Sequence, residues 1–566
     1  MIEILINENE INIIEKGEEK IIDKKNIDYN ISEEFEKLIS KLESRKISGI
    51  GIENMYIYDD IEIYNFARGT ICNRIRNILN KFLLIEDIVK KYEGNNIKVY
   101  TNDSIYKYIC EKIFNLNCEE ITEDYVKKTD KRKIIARIFR IINGFLYLFK
   151  FKLTNRTKEK VLFMTHASDI NSIKIDNEII NYDCQFGNVL ESLKSENKAF
   201  RIQYLNNDSV LDKSTKIGRD FLPFENFLIL KKTLYKNKID NNKIINKLNL
   251  LKELDFYVAG YNLYNLFNEF LFSNLIEIYN SYIYEIYASE KFIKFLKVDK
   301  IICTDEADRA RCFIYSGNKL KIPTFAVQHG IITDASVSYF IPSEDRIYIP
   351  MNTFVWGEEF KDKLIQRTKV YNNNNTLVVG QVRTDYLYKK INKLNLDKSS
   401  NNKLRILYAT QYIEELAREA TEFLFSTLSN YEREYEIIIK LHPNDSFYRM
   451  YQEMANKYNI KNINITKDMD IYDAIIWSDV VVSVHSTINL ESAILDKPSI
   501  CLLLSNYWDQ GNFVKNNISK GAENEKELLC LLNNIDWTVD EEYIKRNFYN
   551  IDGLVSERIK TVINMY

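Results

Sequence analysis

Short runs of apolar residues without polar alternation recur in the last part of the chain, and stretches with helical spacing separate them. A run of mostly β-branched residues without alternation predicts a strand that is buried on both faces. Regular alternation of such strands with helices predicts a parallel, doubly wound α/β sheet. The strand runs are 354–356, 377–379, 405–409, 436–441, 480–484 and 499–503, and the helical patterns are 411–429, 446–457, 487–495, 524–534 and 541–565.

A second unit of the same kind precedes this one. Apolar runs at 161–166, 300–304 and 323–327 predict its strands, and residues 210–297 carry long helical patterns. Three of the six prolines lie between 323 and 350, which predicts a stiff, non-helical crossing and a domain boundary near 345. The predicted domains are an N-terminal α/β domain without recognisable chemistry at 1–125, a linker helix at 126–160, and Rossmann-like domains at 161–345 and 346–566.

The linker segment is strongly basic. Residues 127–160 contain twelve Lys or Arg, against Asp130 and Glu159 as acidic residues. Apolar positions between 131 and 152 have helical spacing, so the segment predicts a basic amphipathic helix. Such a helix can make peripheral contact with an anionic membrane surface through 131–152, or it can pack on the next domain with its basic face in water.

Composition narrows the class of protein. The chain has 566 residues, of which 45% are hydrophobic, so it can bury several cores and is not a disordered chain. Its net charge of −3 gives no general attraction to nucleic acid. The eight cysteines are scattered, which is typical of a reducing compartment. No signal peptide or membrane-spanning run is predicted, so we expect a cytoplasmic protein, associated with the inner face of the membrane if the basic helix docks there.

The four histidines of the chain each follow an apolar run directly. A single histidine in such a place is more often a buried core residue than a catalyst. Ligands of open α/β sheets, however, bind beyond the carboxyl ends of strands. Four such histidines therefore predict a cleft shared by the two Rossmann-like units. They are His166, His329, His442 and His485.

Ser486 and Thr487 precede a helical pattern. Their hydroxyls suit the N-cap of that helix, and the same helix terminus can also hold a phosphate. Glu491, one turn further on, can reach a ribose hydroxyl or can be a solvated helix residue. The sequence Lys440-Leu441-His442-Pro443, at the end of another strand, predicts the second half of the same anion site.

Asp305, Glu306 and Asp308 form an acidic cluster directly after a buried strand. Clustered carboxylates raise one another's pKa, which suits a general base, although an aspartate in this place can equally cap a helix. Asp468-Met469-Asp470 matches a metal-binding D-x-D pattern, but it stands before a helical pattern, where aspartate is expected as a cap. We therefore predict no metal site and no cofactor.

Several motifs resemble a series shared by CDP-glycerol glycerophosphotransferases and capsule-type glycosyltransferases. They are also similar to motifs of bacterial sialyltransferases, polysialyltransferases and Kdo transferases, which bind a cytidine nucleotide. The resemblance covers about 300–505 and, more loosely, 161–340, and it implies the GT-B fold, with two Rossmann-like domains facing a cleft. The motifs are Gln328-His329-Gly330, Val355-Trp356-Gly357, Val379-Gly380-Gln381-Val382-Arg383-Thr384-Asp385, Lys440-Leu441-His442-Pro443 and the stretch from Ser486 to Pro498.

The resemblance also implies roles for single residues. His442 would contact the donor phosphate and stabilise the leaving nucleotide, and Ser486 and Thr487 would bind the same phosphate. Glu491 would hold the ribose. The position of Asp305 or Glu306 resembles that of the sialyltransferase base, and His329 matches a glycerophosphotransferase histidine that is the rival base. The other residues assigned to donor binding are Gly330, Gly380, Arg383, Lys440, Pro443 and His485.

The implied activity is that of a metal-independent glycosyltransferase that uses a nucleotide-sugar donor and a surface polysaccharide or glycoprotein acceptor. Val484 and His485 stand where glycerophosphotransferases carry an acidic and an aromatic residue, which favours a CMP-activated ulosonic or sialic-type acid as donor. The alternatives are a CDP-glycerol-type glycerophosphotransferase of teichoic-acid-like polymer synthesis, a sugar-nucleotide epimerase, and a non-catalytic module that binds nucleotide.

Overall fold

The computed structural model divides the chain into two compact units. Unit 1 consists of Met1–Ile31, Leu84–Ile121 and Asn392–Arg546, and unit 2 consists of Ser32–Leu83, Thr122–Ile391 and Asn547–Tyr566. The structure describes all residues except 1, 7–9, 16–17, 24–30, 122–130, 154–157, 168–169, 176–177, 184, 197, 206–220, 235–237, 334–335, 394–402, 412–413, 443–444, 446, 485, 505–512 and 538.

A mixed sheet forms the N-terminal part of unit 1. Its described strands have the order β3-β2-β1-β4-β5, in which β1 pairs antiparallel with β2 and parallel with β4. The side chains of β1 alternate between buried positions (Ile2, Ile4 and Ile6) and half-buried ones (Glu3 and Leu5), as expected for a sheet with one buried face. The strands are β1 Ile2–Ile6, β2 Glu10–Glu15, β3 Glu18–Asp23, β4 Ile97–Thr101 and β5 Asn117–Glu119.

A parallel sheet with seven described strands forms the centre of unit 2. Its spatial order is β8-β7-β6-β9-β10-β11-β12. The first strand, β6, thus lies beside the fourth, β9, as in the Rossmann order 3-2-1-4-5-6. The strands are β6 Lys160–His166, β7 Lys198–Tyr204, β8 Leu222–Pro223, β9 Lys300–Cys303, β10 Thr324–Val327, β11 Asn352–Val355 and β12 Thr376–Val378.

A second parallel sheet, with six described strands, forms the rest of unit 1. Its order β15-β14-β13-β16-β17-β18 is also the Rossmann order. Strand β13 therefore lies between β14 and β16, the two strands that carry the predicted anion site. The strands are β13 Leu404–Ala409, β14 Tyr435–Lys440, β15 Ile463–Thr466, β16 Val480–Ser483, β17 Ser499–Leu502 and β18 Lys520–Ala522.

The helices connect and cover these sheets. In the described residues, none of them has both the length and the apolar character needed to cross a membrane. They are α1 Ile31–Ser44, α2 Tyr64–Lys91, α3 Ser104–Tyr108, α4 Lys131–Leu153, α5 Asn188–Glu196, α6 Phe224–Leu234, α7 Tyr264–Phe270, α8 Leu275–Leu296, α9 Asp308–Lys319, α10 Glu358–Arg367, α11 Arg383–Lys393, α12 Glu414–Ser429, α13 Tyr448–Lys457, α14 Ile471–Trp477, α15 Ile488–Ile494, α16 Glu525–Asn533, α17 Glu541–Phe548 and α18 Val555–Asn564.

Apolar side chains pack against both faces of the seven-stranded sheet. One cluster joins the sheet to α4, α6, α8 and α9, and contains Phe151, Phe227 and Phe292. The other joins it to α5 and α18, and contains Leu193 and Ile559. Strands covered on both faces need apolar residues at successive positions, which explains the apolar runs. The predicted fold class, α/β with two Rossmann-like, doubly wound sheets of the kind that a GT-B protein contains and an additional N-terminal α/β part, is confirmed.

The predicted domain boundaries need correction. Strands β11 and β12 continue the sheet of unit 2 beyond the predicted boundary near 345, and the boundary lies at Ile391/Asn392. Residues 32–83, predicted within the N-terminal domain, belong to unit 2. The predicted last helix is two helices, α17 and α18, and α18 belongs to unit 2. The helical path ends at Tyr549, directly after α17, where φ is +59°.

Candidate functional site

The strand order of unit 2 brings polar residues together at one edge of its sheet. Strands β6 and β9 are neighbours whose connections lead to opposite faces of the sheet. In open α/β sheets, ligands bind beyond the carboxyl ends of such a strand pair. His166 is the last residue of β6, and Asp305 follows β9. His329 follows the next strand, β10. We call His166, Asp305 and His329 the base cluster.

The base cluster is held by direct contacts. The Nε2 atom of His166 lies 3.1 Å from Oδ2 of Asp305, and the backbone N–H of Ala307 donates to Oδ1 of Asp305 at 3.2 Å. The ring centroids of His166 and His329 are 5.6 Å apart. Asp305 therefore keeps the local turn expected of an aspartate after a strand and also holds an imidazole.

Electrostatics keep the Asp305 carboxylate ionised. Burial is the largest influence and raises its pKa, but the hydrogen bond from His166 and the charges of His166 and His329 more than offset it, so the pKa of Asp305 is lowered. A carboxylate with a lowered pKa is a weak proton acceptor near neutral pH. It stabilises a protonated imidazole instead, so the geometry favours histidine as the proton acceptor and Asp305 as its partner.

Glu306, the other predicted carboxylate base, has a structural position. Its carboxyl group is fully buried and accepts hydrogen bonds from Thr353 Oγ1 at 2.5 Å and from the Tyr371 hydroxyl. Burial raises the pKa of Glu306 above its usual value. Since both oxygens are occupied and away from solvent, the prediction of Glu306 as a base is not supported. Its neighbour Asp305 is the carboxylate that contacts His166.

Gln328 fixes the turn that presents His329. Its side chain accepts the N–H of Trp356 at 2.9 Å and donates to the carbonyl of Gly330 at 2.9 Å. Gly330 has a φ of +75°, which favours glycine, and a Cβ at this position would meet no atom within 4 Å. The turn thus links two of the sequence motifs and leaves the His329 side chain exposed.

The motif from Val379 to Asp385 holds the last helix in place. A Cβ on Gly380 would lie 2.9 Å from Val555 Cγ2, so close packing against α18 explains this glycine without a donor contact. Asp385 is buried and accepts the N–H groups of Val555 and Ser556, both at 2.8 Å. Arg383, a predicted donor ligand, is the first residue of α11 and is partly buried.

Replacing Asp385 with alanine should destabilise unit 2. The change leaves two buried N–H groups at the start of α18 without their acceptor, which costs about 2 kcal/mol. Urea denaturation measures this loss. Asp240→Ala is the matched control, because Asp240 accepts one N–H, from Asn242, in an exposed turn of the same unit. A loss for Asp385→Ala no larger than that of the control would contradict the capping role.

In unit 1, the end of β14 carries Lys440 and His442. The backbone N–H of His442 donates to Thr410 Oγ1 at 3.0 Å, and Thr410 donates in turn to the buried Asp445 at 2.5 Å. Asp445 also accepts the Tyr451 hydroxyl at 2.7 Å. Thr410 follows β13, the strand between β14 and β16, so the central strand of this sheet fixes the His442 loop.

Positive charge and burial act on His442. Burial is the largest influence and lowers its pKa, Lys440 and Lys467 lower it further, and Asp445 acts in the opposite direction, with a net lowering. The imidazole is therefore mainly neutral near pH 7 and can donate one N–H hydrogen bond. Lys467 Nζ binds the carbonyl of Asp445 at 2.8 Å, and Lys440 Nζ binds the carbonyl of Lys467 at 2.9 Å.

The second half of the predicted anion site follows β16. The N–H of Ile488 donates to Ser486 Oγ at 3.4 Å, whereas the exposed Thr487 makes no side-chain cap hydrogen bond, so of the two predicted caps only Ser486 is observed. Glu491, expected as a ribose ligand or a solvated residue, is 6% exposed. The predicted donor residues Pro443 and His485 lie outside the described residues.

Asp470 of the D-x-D pattern has the capping role predicted for it. Asp470 caps α14 by accepting the N–H groups of Tyr472 and Asp473 at 3.0 and 3.2 Å. Across the part of the chain that the structure describes, no group of three or more His, Cys, Asp or Glu side chains is placed to hold a metal ion.

Three residues of the site have no role predicted from the sequence. His166 is predicted at a strand end without a role, and Thr410 and Asp445 belong to no motif. The signal for His166 is the strand order, because the Rossmann order makes β6 and β9 neighbours. Thr410 and Asp445 act through hydrogen bonds that no sequence spacing reveals.

Part of the chain is similar to a known protein family. Residues 313–564 match the family model described as CDP-Glycerol:Poly(glycerophosphate) glycerophosphotransferase. The matched region contains His329 and His442 but not His166 and Asp305. No match was found among curated proteins.

Solved structures give distant similarities. UDP-GlcNAc 2-epimerase from Neisseria meningitidis is 15% identical over 72% of this chain and 100% of its own, with a TM-score of 0.44. The MnaA protein of S. aureus is 16% identical over 72% and 96%, with a TM-score of 0.41. MurG from Acinetobacter baumannii is 10% identical over 72% and 100%, also with a TM-score of 0.41.

The family match, together with the two doubly wound sheets, bears out the prediction of a transferase. The chain is thus a glycosyltransferase-like enzyme, and its residues 313–564 are similar to the CDP-glycerol glycerophosphotransferase family model.

Proposed function

We propose that the protein transfers a group from a cytidine-nucleotide donor to a hydroxyl group of an acceptor. The observation that carries this proposal is the ionised Asp305 held against His166 beside the exposed His329. An imidazole supported by a carboxylate can take the proton of a hydroxyl, and a charged partner stabilises the imidazolium that forms. The position of the cluster beyond parallel strand ends supports a role in ligand chemistry.

The proposed step balances for either kind of donor. The imidazole takes the hydroxyl proton, and the acceptor oxygen attacks. With a CDP-glycerol-type donor, a P–O bond forms at the phosphorus that carries glycerol, and the P–O bond to CMP breaks. With a CMP-activated sugar, a C–O bond forms at the anomeric carbon, and the C–O bond to CMP breaks. CMP leaves with the bonding electrons in both cases.

The His442 loop is the proposed donor-phosphate site. Two lysines, Lys440 and Lys467, lie close enough to lower the pKa of His442, and a region of positive charge attracts a phosphate. The neutral imidazole N–H and the Ser486 hydroxyl add hydrogen-bond donors. Donors aimed at the leaving phosphate stabilise the charge that develops as the bond to CMP breaks.

The family match favours a glycerophosphoryl group over a sugar as the transferred group, because the matched model is that of a CDP-glycerol enzyme. A CMP-activated ulosonic or sialic-type acid is the second candidate, and the sequence from Ser486 to Pro498 supports it. The acceptor of either reaction is proposed to be a polyol or sugar hydroxyl of a surface polymer or glycoprotein.

Thermal unfolding with CMP, CDP, UDP and GDP tests the donor class without a known acceptor. A nucleotide present at 100 times its Kd stabilises the native state by about 2.7 kcal/mol. We expect CMP and CDP to raise the Tm and UDP and GDP to leave it unchanged. A rise with UDP alone would overturn the cytidine proposal.

Release of CMP from CDP-glycerol and from CMP-linked sugars then identifies the transferred group. We expect faster release from CDP-glycerol, and faster release from a CMP-sugar would select the second candidate. Conversion of a nucleotide sugar to its epimer without an acceptor would indicate the epimerase alternative instead.

A further inference from the structure

Helix α4 has two apolar faces, and one of them packs on the rest of unit 2. Leu148 and Phe151 belong to the core cluster on one side of the seven-stranded sheet, and Gly144 packs closely against Pro223. The buried Arg140 donates to the Gln203 side chain at 2.9 Å and to the Gln203 carbonyl at 3.2 Å. The helix is thus firmly attached to the carboxyl end of β7.

The opposite face of α4 is apolar and exposed. Eight large hydrophobic side chains of this helix are 48–67% exposed, out of twenty such side chains in the described residues. Most of them recur at intervals of three and four residues, which places them in one row along the helix. They are Ile134, Ile135, Ile138, Phe139, Ile142, Leu146, Phe149 and Leu153. An exposed apolar row of this size marks an interaction surface.

The charge of α4 indicates what this surface contacts. The helix contains seven Lys or Arg and no acidic residue, whereas the whole chain has a net charge of −3. Basic residues stand in its first and last turns, and Lys133, Arg137 and Lys150 are exposed. Positive charge concentrated on one apolar helix complements an anionic surface that has an apolar interior.

We propose that α4 docks in the plane of an anionic lipid bilayer. A helix of 23 residues is about 35 Å long, but its basic residues and its packed face prevent it from crossing the bilayer. Its apolar row enters the boundary between headgroups and acyl chains, and its basic residues contact anionic headgroups. This docking is independent of the transfer reaction proposed above.

A neighbouring side chain extends the docking surface. Lys152 Nζ lies 3.9 Å from the ring centroid of Phe295, which is 47% exposed. A lysine above an exposed aromatic ring gives one more apolar contact with a cation beside it, as expected at the headgroup level. A second copy of the chain is the less favourable occupant, because a symmetric dimer would bring the same basic helix against itself.

The docked helix also locates the base cluster. Arg140 lies on the side of the helix opposite the apolar row and binds Gln203, the residue before Tyr204. The rings of Tyr204 and His166 are 5.3 Å apart. A helix with its side chains is roughly 10–12 Å across. Docking would therefore hold this strand end on the protein side of the helix, about that distance from the level that the apolar row reaches.

Flotation of the full chain with vesicles tests the proposal. We expect binding to phosphatidylcholine vesicles that contain phosphatidylglycerol, weaker binding to phosphatidylcholine alone, and weakening by salt because the headgroup attraction is electrostatic. Leu146→Glu/Phe149→Glu should reduce binding at least about tenfold, because each change places a charge in the apolar row. Ile245→Glu/Ile276→Glu is the matched control, with two exposed apolar residues of the same unit outside α4.

The outcomes separate the alternatives. Binding of the α4 double variant equal to that of the wild type, or no vesicle binding by the wild type, would overturn the proposal. A wild-type dimer in solution that the α4 variant abolishes would assign the surface to a second copy instead. Nucleotide-induced thermal stabilisation of the α4 variant should match the wild type, so a failure here is distinct from a failure of the proposed transfer reaction.

Discussion

Replacing Asp305 with asparagine is expected to lower kcat by a factor of about 10²–10⁴, the range found for loss of acid–base assistance. The asparagine side chain would have the same shape, but it cannot carry the charge that stabilises a protonated His166. Its amide can also present an N–H where the carboxylate accepted a hydrogen bond at 3.1 Å. The measurement is the rate of CMP release at saturating donor.

The pH dependence of the same variant tests how Asp305 acts. The charges of His166 and His329 lower the pKa of Asp305, and by the same attraction the ionised Asp305 stabilises a charged imidazole. Removing the carboxylate should therefore move the acidic limb of the kcat/KM profile to lower pH, because the neutral imidazole then persists at lower pH. If Asp305 itself takes the proton, the acidic limb should disappear from the variant's profile instead of moving.

Two comparisons complete this test. Asp345→Asn is the matched control, since Asp345 accepts the N–H of Ile347 in an exposed turn of the same unit, and it should leave kcat unchanged. His166→Ala and His329→Ala identify which imidazole is the acceptor, because that variant alone should lose the acidic limb. Full activity of Asp305→Asn with an unchanged profile would remove Asp305 from the mechanism.

The architecture was largely predictable because parallel strands buried on both faces need continuous apolar runs. The runs before His166, Asp305, His329 and His442 all became strands. The domain boundary was not predictable, because the prolines near 345 indicate an irregular crossing but not which sheet the next strand joins. Pairing of β11 with β10 is decided by packing between residues distant in sequence.

Within the candidate site, only the residues that stand at the end of a single strand were predictable. His329 and His442 stand at strand ends, which the sequence reveals directly. The partner of Asp305 depends on the neighbour relation of β6 and β9, which arises from the sheet order. For Gly380, the sequence motif suggested donor binding, but close packing against Val555 is enough to explain the glycine.

Replacing His442 with alanine is expected to lower kcat/KM by about 10²–10³, the cost of removing one donor that stabilises developing charge. His442→Asn should recover part of this loss. The lowered pKa of His442 keeps the imidazole neutral near pH 7, so its proposed contribution is an N–H hydrogen bond to the phosphate, and asparagine also carries an N–H donor. CMP release for both variants, with the melting temperature as a check on folding, measures the difference.

The comparison of the two variants separates hydrogen bonding from proton transfer. If His442 must give up a proton to the leaving phosphate, His442→Asn should be as inactive as His442→Ala, because an amide does not ionise in this range. Activity of His442→Ala equal to that of the wild type would place the donor phosphate elsewhere.

Lys440→Ala should raise the KM for the donor, since it removes a positive charge beside the proposed phosphate site. The matched control is Lys457→Ala, which changes an exposed lysine of the same unit that is paired with Glu422, and it should leave KM unchanged.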